Sequence, residues 1–354
     1  MEGKERVGLL DFVNSLSGGD GLRVEESLGN GFVRLRIAEA ERRQAKHDIR
    51  CVEDAVIELL RNSRDAGASK IIIGMAREGN IRTLVIADDG SGIPPELHER
   101  VFDARVTSKL DSVHMDRWGV HGRGMALFSI RENARSARVV CSDVGRGCVM
   151  QLEFDVSTLA ERADQSTWPQ VGHAAGKQSI RGPHNIYRTC VEFALEERGR
   201  CNVYIGSPSE ALATMRNRMG RVPIAGSSLP AIEEVPYAAQ PCFVDDSREL
   251  SRIALSLGID ISERNAHRVI KGEIAPLQNV VAYVLGTGTA TRHHASQDQR
   301  KIILSREDER ELREQLANVF STIEERYYVR LVSTPTLRFS SGHLTVGYDY
   351  VEED

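Results

Sequence analysis

The sequence predicts an α+β fold in which a mixed β-sheet carries helices on one face, followed by a helical module and a small α+β module. Three observations support this fold class. Short apolar runs at residues 70–74 and 83–87 have the length of buried strands. Residues 32–64 show helical spacing of apolar side chains, with a break near His47. A glycine-rich stretch leads into an apolar helical pattern that starts at Met125.

The remaining elements follow in chain order. Polar residues 160–181 lack a pattern and are expected to form an insertion or a loop. Further strands are expected at residues 137–141, 148–154, 189–194 and 201–205. We predict four segments: a flexible N-terminal arm at residues 1–30, a sandwich domain at 31–206, a helical module at 207–290 and a small α+β module at 291–354.

A carboxylate and an amide lie four residues apart in the first helical pattern. Glu58 and Asn62 belong to the segment Glu-Leu-Leu-Arg-Asn-Ser-Arg-Asp-Ala, which ends with Asp65 and Ala66. Residues four apart share one face of a helix. Either residue alone fits a solvated helix face. Together they can hold a metal ion and a water molecule.

A second motif ends a predicted strand. The apolar run 84–87 is followed by Asp88-Asp89-Gly-Ser-Gly-Ile-Pro, so Asp88 is expected at a strand terminus that faces a pocket. Gly90 and Gly92 allow the backbone to approach a ligand closely. Asp89 is interpreted as an ordinary turn carboxylate.

A third motif combines glycines with the start of a helix. Gly119, Gly122 and Gly124 precede the apolar pattern 125–130, and the N-terminus of a helix offers free N–H groups and a positive dipole end to phosphates. The motif has neither the Gly-Lys-Ser/Thr of a Walker loop nor a dinucleotide fingerprint.

The ordered set of three motifs resembles the nucleotide-binding fold of the GHKL superfamily, which includes gyrase, Hsp90, histidine kinases and MutL-type mismatch-repair proteins. The resemblance covers about residues 45–155 and is strongest to type IIB topoisomerase B subunits and MutL-type ATPase domains. It implies a Bergerat-type α/β sandwich that binds ATP with Mg²⁺.

The resemblance also implies roles for individual positions. Glu58 would be the general base, Asn62 would ligate Mg²⁺, and Asp88 would accept a hydrogen bond from the adenine amino group. The other expected nucleotide-binding positions are Asp65, Gly90, Gly92, Ile93, Thr107, Ser108, Lys109, Gly119, Val120, His121, Gly122, Arg123, Gly124 and Met125. The glycines from Gly119 onward would form a mobile lid over the phosphates.

Two positions depart from the family pattern or are left open by the sequence. The strand after the lid usually carries a Gly-Thr pair, whereas Gly147 is followed here by Cys148, and Thr189 is a second candidate for that threonine. Lys109 fits either a phosphate contact or an exposed loop lysine. In gyrase-like and MutL-like ATPases a second domain supplies a catalytic lysine, for which Lys301 is the best placed, although it also fits a solvated strand edge.

The C-terminal half gives weaker signals. The latter half of residues 250–272 resembles the recognition helix of helix-turn-helix repressors, with Gly258 in the turn and Ser262 capping the second helix. The turn is about two residues longer than usual, so a plain helical hairpin is the alternative. A charged helix through Arg326 and strands at 329–332 and 343–348 are expected to form the last module.

Composition restricts the remaining possibilities. The 354 residues carry a net charge of −5, which gives no global basic signal for nucleic acid. No CxxC pair or metal-ligand spacing links the six cysteines, which are expected to be reduced thiols. The sequence has no apolar run of membrane-spanning length, and we expect a cytoplasmic protein.

These observations predict an ATPase of the GHKL type that acts as an ATP-gated dimerising switch on DNA or on a partner protein. The first alternative is a histidine-kinase-like phosphotransferase, because the segment around His47 resembles a phospho-acceptor box. Only fourteen residues separate His47 from Asn62, which argues against a kinase with an intervening dimerisation domain. The second alternative, a nucleotide-binding regulatory module without turnover, is weakened by Glu58.

Overall fold

The structure is a computed structural model in which two compact units, residues 1–290 and 291–354, are distinguished. Within the described residues, none of the helices is long and apolar enough to cross a membrane. The structure describes residues 24–35, 39–45, 47–107, 114–116, 119–121, 124–162, 164–174, 177–219, 235–287, 306–340 and 343–352.

The first unit contains twelve described strands and eight described helices. The strands are β1 Val24–Gly29, β2 Phe32–Leu35, β3 Lys70–Glu78, β4 Ile81–Asp88, β5 Val106–Thr107, β6 His114–Asp116, β7 Gly119–His121, β8 Ser136–Ser142, β9 Cys148–Asp155, β10 Gln170–Ala174, β11 Lys177–Arg181 and β12 Asn202–Gly206. The helices are α1 Glu39–Ala45, α2 Val52–Asp65, α3 Ala126–Asn133, α4 Ile186–Glu196, α5 Pro208–Arg218, α6 Ser247–Ser256, α7 Glu263–Ile270 and α8 Val280–Val284.

A five-stranded mixed sheet forms the centre of this unit, in the order β12-β3-β4-β9-β8. Strand β12 is parallel to β3, and the other pairs are antiparallel. The predicted α+β class with a mixed sheet is confirmed. The register of β4 on β9 pairs Asp88 with Cys148, so the second motif lies directly beside the residue that departs from the family pattern.

The two faces of this sheet differ because successive side chains of a strand point to opposite sides. On one face, which we call the closed face, Ile72, Val85, Ala87, Val149 and Tyr204 belong to one apolar cluster with helices α5, α6 and α7. The other face, which we call the cavity face, carries the alternate residues of the same strands, including Ile86, Asp88 and Met150, and packs against α2.

Helices therefore cover both faces of the sheet, and not only the one predicted. Helices α5 to α8, which fall in the helical module predicted at residues 207–290, lie in the same compact unit as the sheet. Close packing explains the arrangement. A Cβ atom on Gly74 of β3 would lie only 3.2 Å from Cβ of Ala211 in α5, so the two small residues let the helix approach the strand.

One predicted strand is wrong: residues 189–194 belong to helix α4. The Asn185 side chain caps this helix by accepting a hydrogen bond from the Arg188 N–H at 2.9 Å. The buried residues recur at helical spacing and are Ile186, Tyr187, Cys190, Val191, Phe193 and Ala194. The apolar run was short enough to fit either element, and the cap upstream decides for the helix.

Several described strands were not predicted from the sequence, among them those in three segments expected to be an arm, a helical stretch and a loop. β1 lies within the predicted N-terminal arm, and β2 lies within the predicted helical stretch 32–64. The two strands pair with each other, and β2 also pairs with β5. Strands β10 and β11 form a hairpin inside the predicted loop 160–181. Hairpin pairing supplies backbone hydrogen bonds to polar stretches whose side chains show no strand periodicity.

The helix pair α6 and α7 matches the predicted caps. The hydroxyl of Ser262 accepts a hydrogen bond from the Asn265 N–H at 3.3 Å, and Gly258 lies in the turn with φ +74°, a conformation that suits glycine. The turn is not a free surface loop. A Cβ atom on Gly258 would lie 3.1 Å from a methyl group of Val140 in β8, so the turn packs on the closed face.

The second unit is a small α+β arrangement. Helix α9 Arg306–Tyr327 is followed by strands β13 Val329–Leu331, β14 Thr336–Ser340, β15 His343–Gly347 and β16 Tyr350–Glu352. β13 pairs with β16 and β14 with β15, both antiparallel. Phe320 of α9 stacks on Tyr348, with ring centroids 4.7 Å apart, and joins the helix to the strands.

Candidate functional site

A cavity of about 860 Å³ lies between helix α2 and the cavity face of the sheet. Its volume falls within the range of about 300–1,000 Å³ that is typical of small-molecule sites. The predicted positions that line it are Glu58, Asn62, Asp65, Asp88, Gly92, Ile93, Thr107, Gly124 and Met125. One cavity thus brings together residues from all three sequence motifs.

Helix α2 supplies the first motif. Acidic residues Glu53 and Asp54 in its first turn complement the positive end of the helix dipole. The side chain of Glu58 is 20% exposed and forms an ion pair with Arg61, one turn further along the helix. The Nδ2 atom of Asn62 is buried and has no hydrogen-bond partner. An unpartnered buried amide costs free energy, so this side chain is suited to a ligand in the cavity.

Asp88 ends strand β4 at the floor of the cavity. Its Oδ2 accepts a hydrogen bond from the Ser63 hydroxyl at 2.7 Å, and its Oδ1 accepts one from the Gly90 N–H at 2.9 Å. Burial raises the pKa of the Asp88 carboxyl, and these two bonds oppose the rise. Each carboxylate oxygen has about two acceptor positions, so a ligand donor can still be bound.

The neighbouring carboxylate has a different environment. Asp89 accepts hydrogen bonds from the Ser69 N–H at 2.7 Å, the Ser69 hydroxyl at 2.6 Å and the Lys70 N–H at 2.8 Å. These bonds join the end of β4 to the start of β3. The geometry fits the sequence interpretation of Asp89 as a structural turn carboxylate.

The glycines of the second motif pack against the protein's own backbone. A Cβ atom on Gly92, which has φ +75°, would lie 1.9 Å from the carbonyl oxygen of Asp143. A Cβ atom on Gly90 would lie 2.9 Å from Cβ of Ala66. Ile93 donates its N–H to the Ser142 hydroxyl at 2.7 Å. The turn is thereby fixed between α2 and the β8–β9 connection, with Gly92 and Ile93 at the cavity wall.

The opposite wall joins the third motif to strand β5. The Arg105 N–H donates to the Gly124 carbonyl at 2.8 Å, and Arg105 has a positive φ of 65°. Thr107 is 7% exposed and lines the cavity. Gly119, Val120 and His121 form strand β7 of a hairpin with β6. The predicted positions Ser108, Lys109, Gly122 and Arg123 lie outside the described residues.

The structure distinguishes the two candidates for the strand threonine. Cys148 lies on β9 opposite Asp88 and lines the cavity. Burial raises the pKa of its thiol well above the ordinary value. Thr189 lies in helix α4, where its hydroxyl donates to the Asn185 carbonyl at 3.1 Å. A thiol therefore occupies the cavity position for which the sequence left two candidates.

The two remaining predicted residues have different outcomes. Asp65 is paired with Arg64 at 2.9 Å, and Arg64 also contacts Glu197 of the segment after α4 at 3.1 Å. This network ties the end of α2 to its neighbour. Lys301 lies outside the described residues. Among those that are described, no group of three or more His, Cys, Asp or Glu side chains could hold a metal ion.

The cavity-lining residues that sequence reasoning missed include Arg61, Ser63 and Arg105. Helical spacing places Arg61 beside Glu58 and could have revealed it. The bond from Ser63 to Asp88 joins residues 25 positions apart. We find no sequence signal for that bond or for the position of Arg105.

Parts of the chain are similar to known proteins. Residues 49–174 match the family of histidine kinase-, DNA gyrase B- and HSP90-like ATPases. The chain is 40% identical over 84 residues to the DNA mismatch repair protein MutL of Thermus thermophilus, which is 24% of this chain and 15% of that protein. It is 37% identical over 102 residues to MutL of Staphylococcus aureus, which is 28% of this chain and 15% of that protein.

The residues that are similar to this family of ATPases, 49–174, include helix α2 and strand β4, which line the cavity. The similarity to GHKL ATPases is confined to residues 49–174, and the similarity to MutL covers 24–28% of the chain. The match spans only about 15% of the length of each of these relatives.

Proposed function

We propose that this chain binds ATP with Mg²⁺ in the cavity and hydrolyses it, with Glu58 as the general base. The observation that carries the proposal is the convergence of Glu58, Asn62, Asp88 and Gly124 on one cavity. These four residues come from three separate sequence motifs, and each has a distinct chemical use in nucleotide hydrolysis.

The residues present fit a nucleotide with its metal ion. Mg²⁺ in nucleotide sites is bound mainly by phosphate oxygens and water, with one or two protein ligands. The Nδ2 atom of Asn62 is buried and has no hydrogen-bond partner, so it would donate to a phosphate oxygen or to water, while the Oδ1 atom of Asn62 would ligate Mg²⁺. Asp88 would accept a hydrogen bond from the adenine amino group, and Thr107 and Gly124 would lie beside the phosphates. Bound Mg²⁺ would neutralise developing phosphate charge.

We further propose that nucleotide binding drives dimerisation. Strand β5 forms part of the cavity wall and pairs with β2, which in turn pairs with β1. When nucleotide binding orders the cavity wall, the change can therefore be transmitted to the N-terminal strands through the backbone hydrogen bonds of these strand pairs. DNA mismatch repair is the role named for the relatives, not for this chain. We propose that this switch acts on DNA or on a partner protein. A role like that of the type IIB topoisomerase B subunit is one form of this proposal.

Hydrolysis is tested with the purified chain and two variants. Glu58→Ala should keep ATP affinity within a few-fold and lower turnover about 10²–10⁴-fold, because a general base acts only in the transition state. Asn62→Ala should lose the Mg²⁺-dependent part of binding. Glu249→Ala, an exposed position on α6, is the control. Normal turnover in Glu58→Ala would contradict the assignment.

The same protein separates the alternatives. Incubation with γ-labelled ATP should release labelled phosphate and leave the chain unlabelled. Stable label on the chain that is lost in His47→Ala would instead support a phosphotransferase, since His47 is exposed in the turn between α1 and α2. Binding of ATP without either product would leave a regulatory nucleotide-binding module.

The switch is tested by light scattering. A non-hydrolysable ATP analogue should shift the chain towards a dimer, and ADP should shift it less, because only differential contacts move such an equilibrium. Deletion of residues 1–23 leaves β1 in place and tests whether the preceding segment is needed. An unchanged mass in the apo, ADP and analogue states would reject the switch and leave the hydrolysis proposal intact.

A further inference from the structure

Arg61 is a buried cation inside the wall of the nucleotide cavity. Its side chain is 3% exposed, and its Nη1 donates to Oε1 of Glu58. Both residues line the cavity. The two positions are three apart on α2, a spacing at which helical side chains meet.

Arg61 and Glu58 differ in whether their charge is permanent and in how exposed their side chains are. A guanidinium stays charged at all pH values relevant to proteins, and burial of such a charge is unfavourable unless it is paired. Glu58 is 20% exposed, so its carboxylate can reach both the buried arginine and the cavity. A fixed positive charge favours the ionised form of a neighbouring carboxylate and restricts its rotamers.

We propose that Arg61 is a positioning residue for the general base: it keeps the Glu58 carboxylate ionised and aimed into the cavity. The inference rests on the hydrolysis proposed above. A carboxylate has about four acceptor positions, so the bond to Arg61 is compatible with a second bond to a water molecule. Arg61 acts through Glu58 and does not itself touch the reacting atoms.

The proposed step is the attack of a water molecule on the terminal phosphate of ATP. Glu58 takes a proton from the water whose oxygen bonds to the terminal phosphorus of ATP. The bond between that phosphorus and the bridging oxygen breaks, and ADP leaves with the electron pair. Arg61 keeps its proton throughout, and its charge compensates the carboxylate before the transfer.

The first measurement does not depend on turnover. In protein labelled with ¹³C-glutamate, NMR follows the titration of the Glu58 carboxyl, which is assigned by the signal missing from Glu58→Gln. Arg61→Met should move the titration midpoint up by about one pH unit or more, since it removes the adjacent positive charge. Arg61→Lys should keep the midpoint near that of the unaltered chain.

The second measurement uses turnover across pH. In Arg61→Met, kcat should fall about 10- to 100-fold, as expected for a misplaced catalytic group, with ATP affinity within a few-fold. The acid limb of the kcat profile should move to higher pH. Arg61→Lys should recover the acid limb but only part of kcat, because the ammonium lacks the planar fork of arginine.

Arg188→Met is the matched control. Arg188 pairs with Glu192 on α4 at 2.8 Å, with side chains 15% and 18% exposed, and neither residue lines the cavity. This variant loses a comparable helical ion pair and should leave both the Glu58 titration and the acid limb unchanged. If Arg61→Met fails to fold, a kcat loss in Arg61→Lys with a native titration midpoint supports the inference.

Three outcomes overturn it. An unmoved Glu58 titration with native kcat in Arg61→Met identifies a purely structural pair. A rise in kcat in Arg61→Met would show that Arg61 restrains the base and does not position it. A loss of ATP affinity with native kcat would identify Arg61 as a nucleotide-binding residue. If the unaltered chain binds ATP without hydrolysing it, the proposed function itself fails. If hydrolysis depends on Glu58 but not on Arg61, this inference alone fails.

Discussion

The closed face and the cavity face belong to the same five strands but are covered in opposite ways. On the closed face, small residues such as Gly74 and Ala211 allow helices to approach closely, and the packed residues form one apolar cluster. On the cavity face, α2 leaves a space of about 860 Å³ with Glu58, Asn62 and Asp88 in its wall. The proposed function therefore lies where packing is incomplete and polar groups are buried.

The two faces also differ in what they contribute to stability and to ligand binding. The closed face stabilises the sheet by burying apolar surface, at about 25 cal/mol per Å². The cavity face carries Asp88, whose carboxyl pKa is raised by burial. Helix α2 on the other side of the cavity carries Asn62, whose Nδ2 atom is buried without a partner. Both features oppose stability. Substitutions of apolar residues on the closed face should mainly change stability, and those of the polar side chains that line the cavity should mainly change ligand binding.

The largest effect is expected for Gly92→Ala, which affects the structure of the cavity wall. The new methyl group would meet the Asp143 carbonyl at 1.9 Å, and the destabilisation should exceed the about 1–3 kcal/mol typical of overpacking. Chemical denaturation measures it. Gly145→Ala is the control, because Gly145 has the same φ of +75° but no atom within 4 Å. Equal losses in the two variants would contradict the steric explanation.

On the closed face, Leu250→Ala should lower the free energy of unfolding by about 2–5 kcal/mol, since Leu250 is fully buried in the apolar cluster. ATP affinity of the folded fraction should stay unchanged. Leu255→Ala on the same helix is the matched control, because Leu255 is 63% exposed and its loss should be small. A large drop in ATP affinity for Leu250→Ala would show that the two faces are coupled.

At the cavity, Asp88→Asn should weaken ATP binding by about 1–3 kcal/mol, since it replaces a charged acceptor in a buried pocket. Calorimetry measures this change. Asp89→Asn is the matched control and should affect stability and leave affinity nearly native, because Asp89 bonds to Ser69 and Lys70. Unchanged affinity in Asp88→Asn would reject the adenine assignment.

The pKa of Asp88 adds a prediction with a defined sign. Because burial raises the pKa of this carboxyl in the folded chain, the carboxyl opposes folding increasingly as the pH rises from the ordinary aspartate pKa through the raised one. Above that range, Asp88→Asn should be at least as stable as the unaltered chain in urea unfolding. Lower stability of the variant at neutral pH would show that the hydrogen bonds outweigh desolvation.

The smallest effect is expected for the capping box that starts α5 on the closed face. The Ser207 hydroxyl accepts from the Glu210 N–H at 3.4 Å, and Glu210 accepts from the Ser207 N–H at 2.9 Å. Ser207→Ala should cost about 1 kcal/mol of stability, with native ATP affinity. Thermal unfolding measures the loss, and a change in nucleotide affinity would again indicate coupling between the faces.

Much of the sandwich was accessible from local sequence patterns. Apolar runs predicted the central strands, and helical spacing predicted that Glu58 and Asn62 share a face of α2. The wrong strand at 189–194 had the same cause as these successes, because a short apolar run carries little information on which element it forms. The cap at Asn185 was the missing signal.

The candidate site was only partly predictable. Its residues on α2 and at the end of β4 follow from local periodicity and turn chemistry. The register that pairs Asp88 with Cys148 joins residues 60 positions apart, and the bond from Ser63 to Asp88 depends on how α2 lies on the sheet. Such contacts depend on the packing of separate elements.

The sequence by itself determined the order of the three motifs and most elements of the sandwich, because period and turn chemistry act within a few residues. The superfamily was indicated by the resemblance that these ordered motifs carry. The tertiary structure decided that Cys148 and not Thr189 reaches the cavity, that Arg61 pairs with Glu58, and that helices α5, α6 and α7 cover the second face. These outcomes depend on burial, register and close packing between distant segments, which no local pattern encodes.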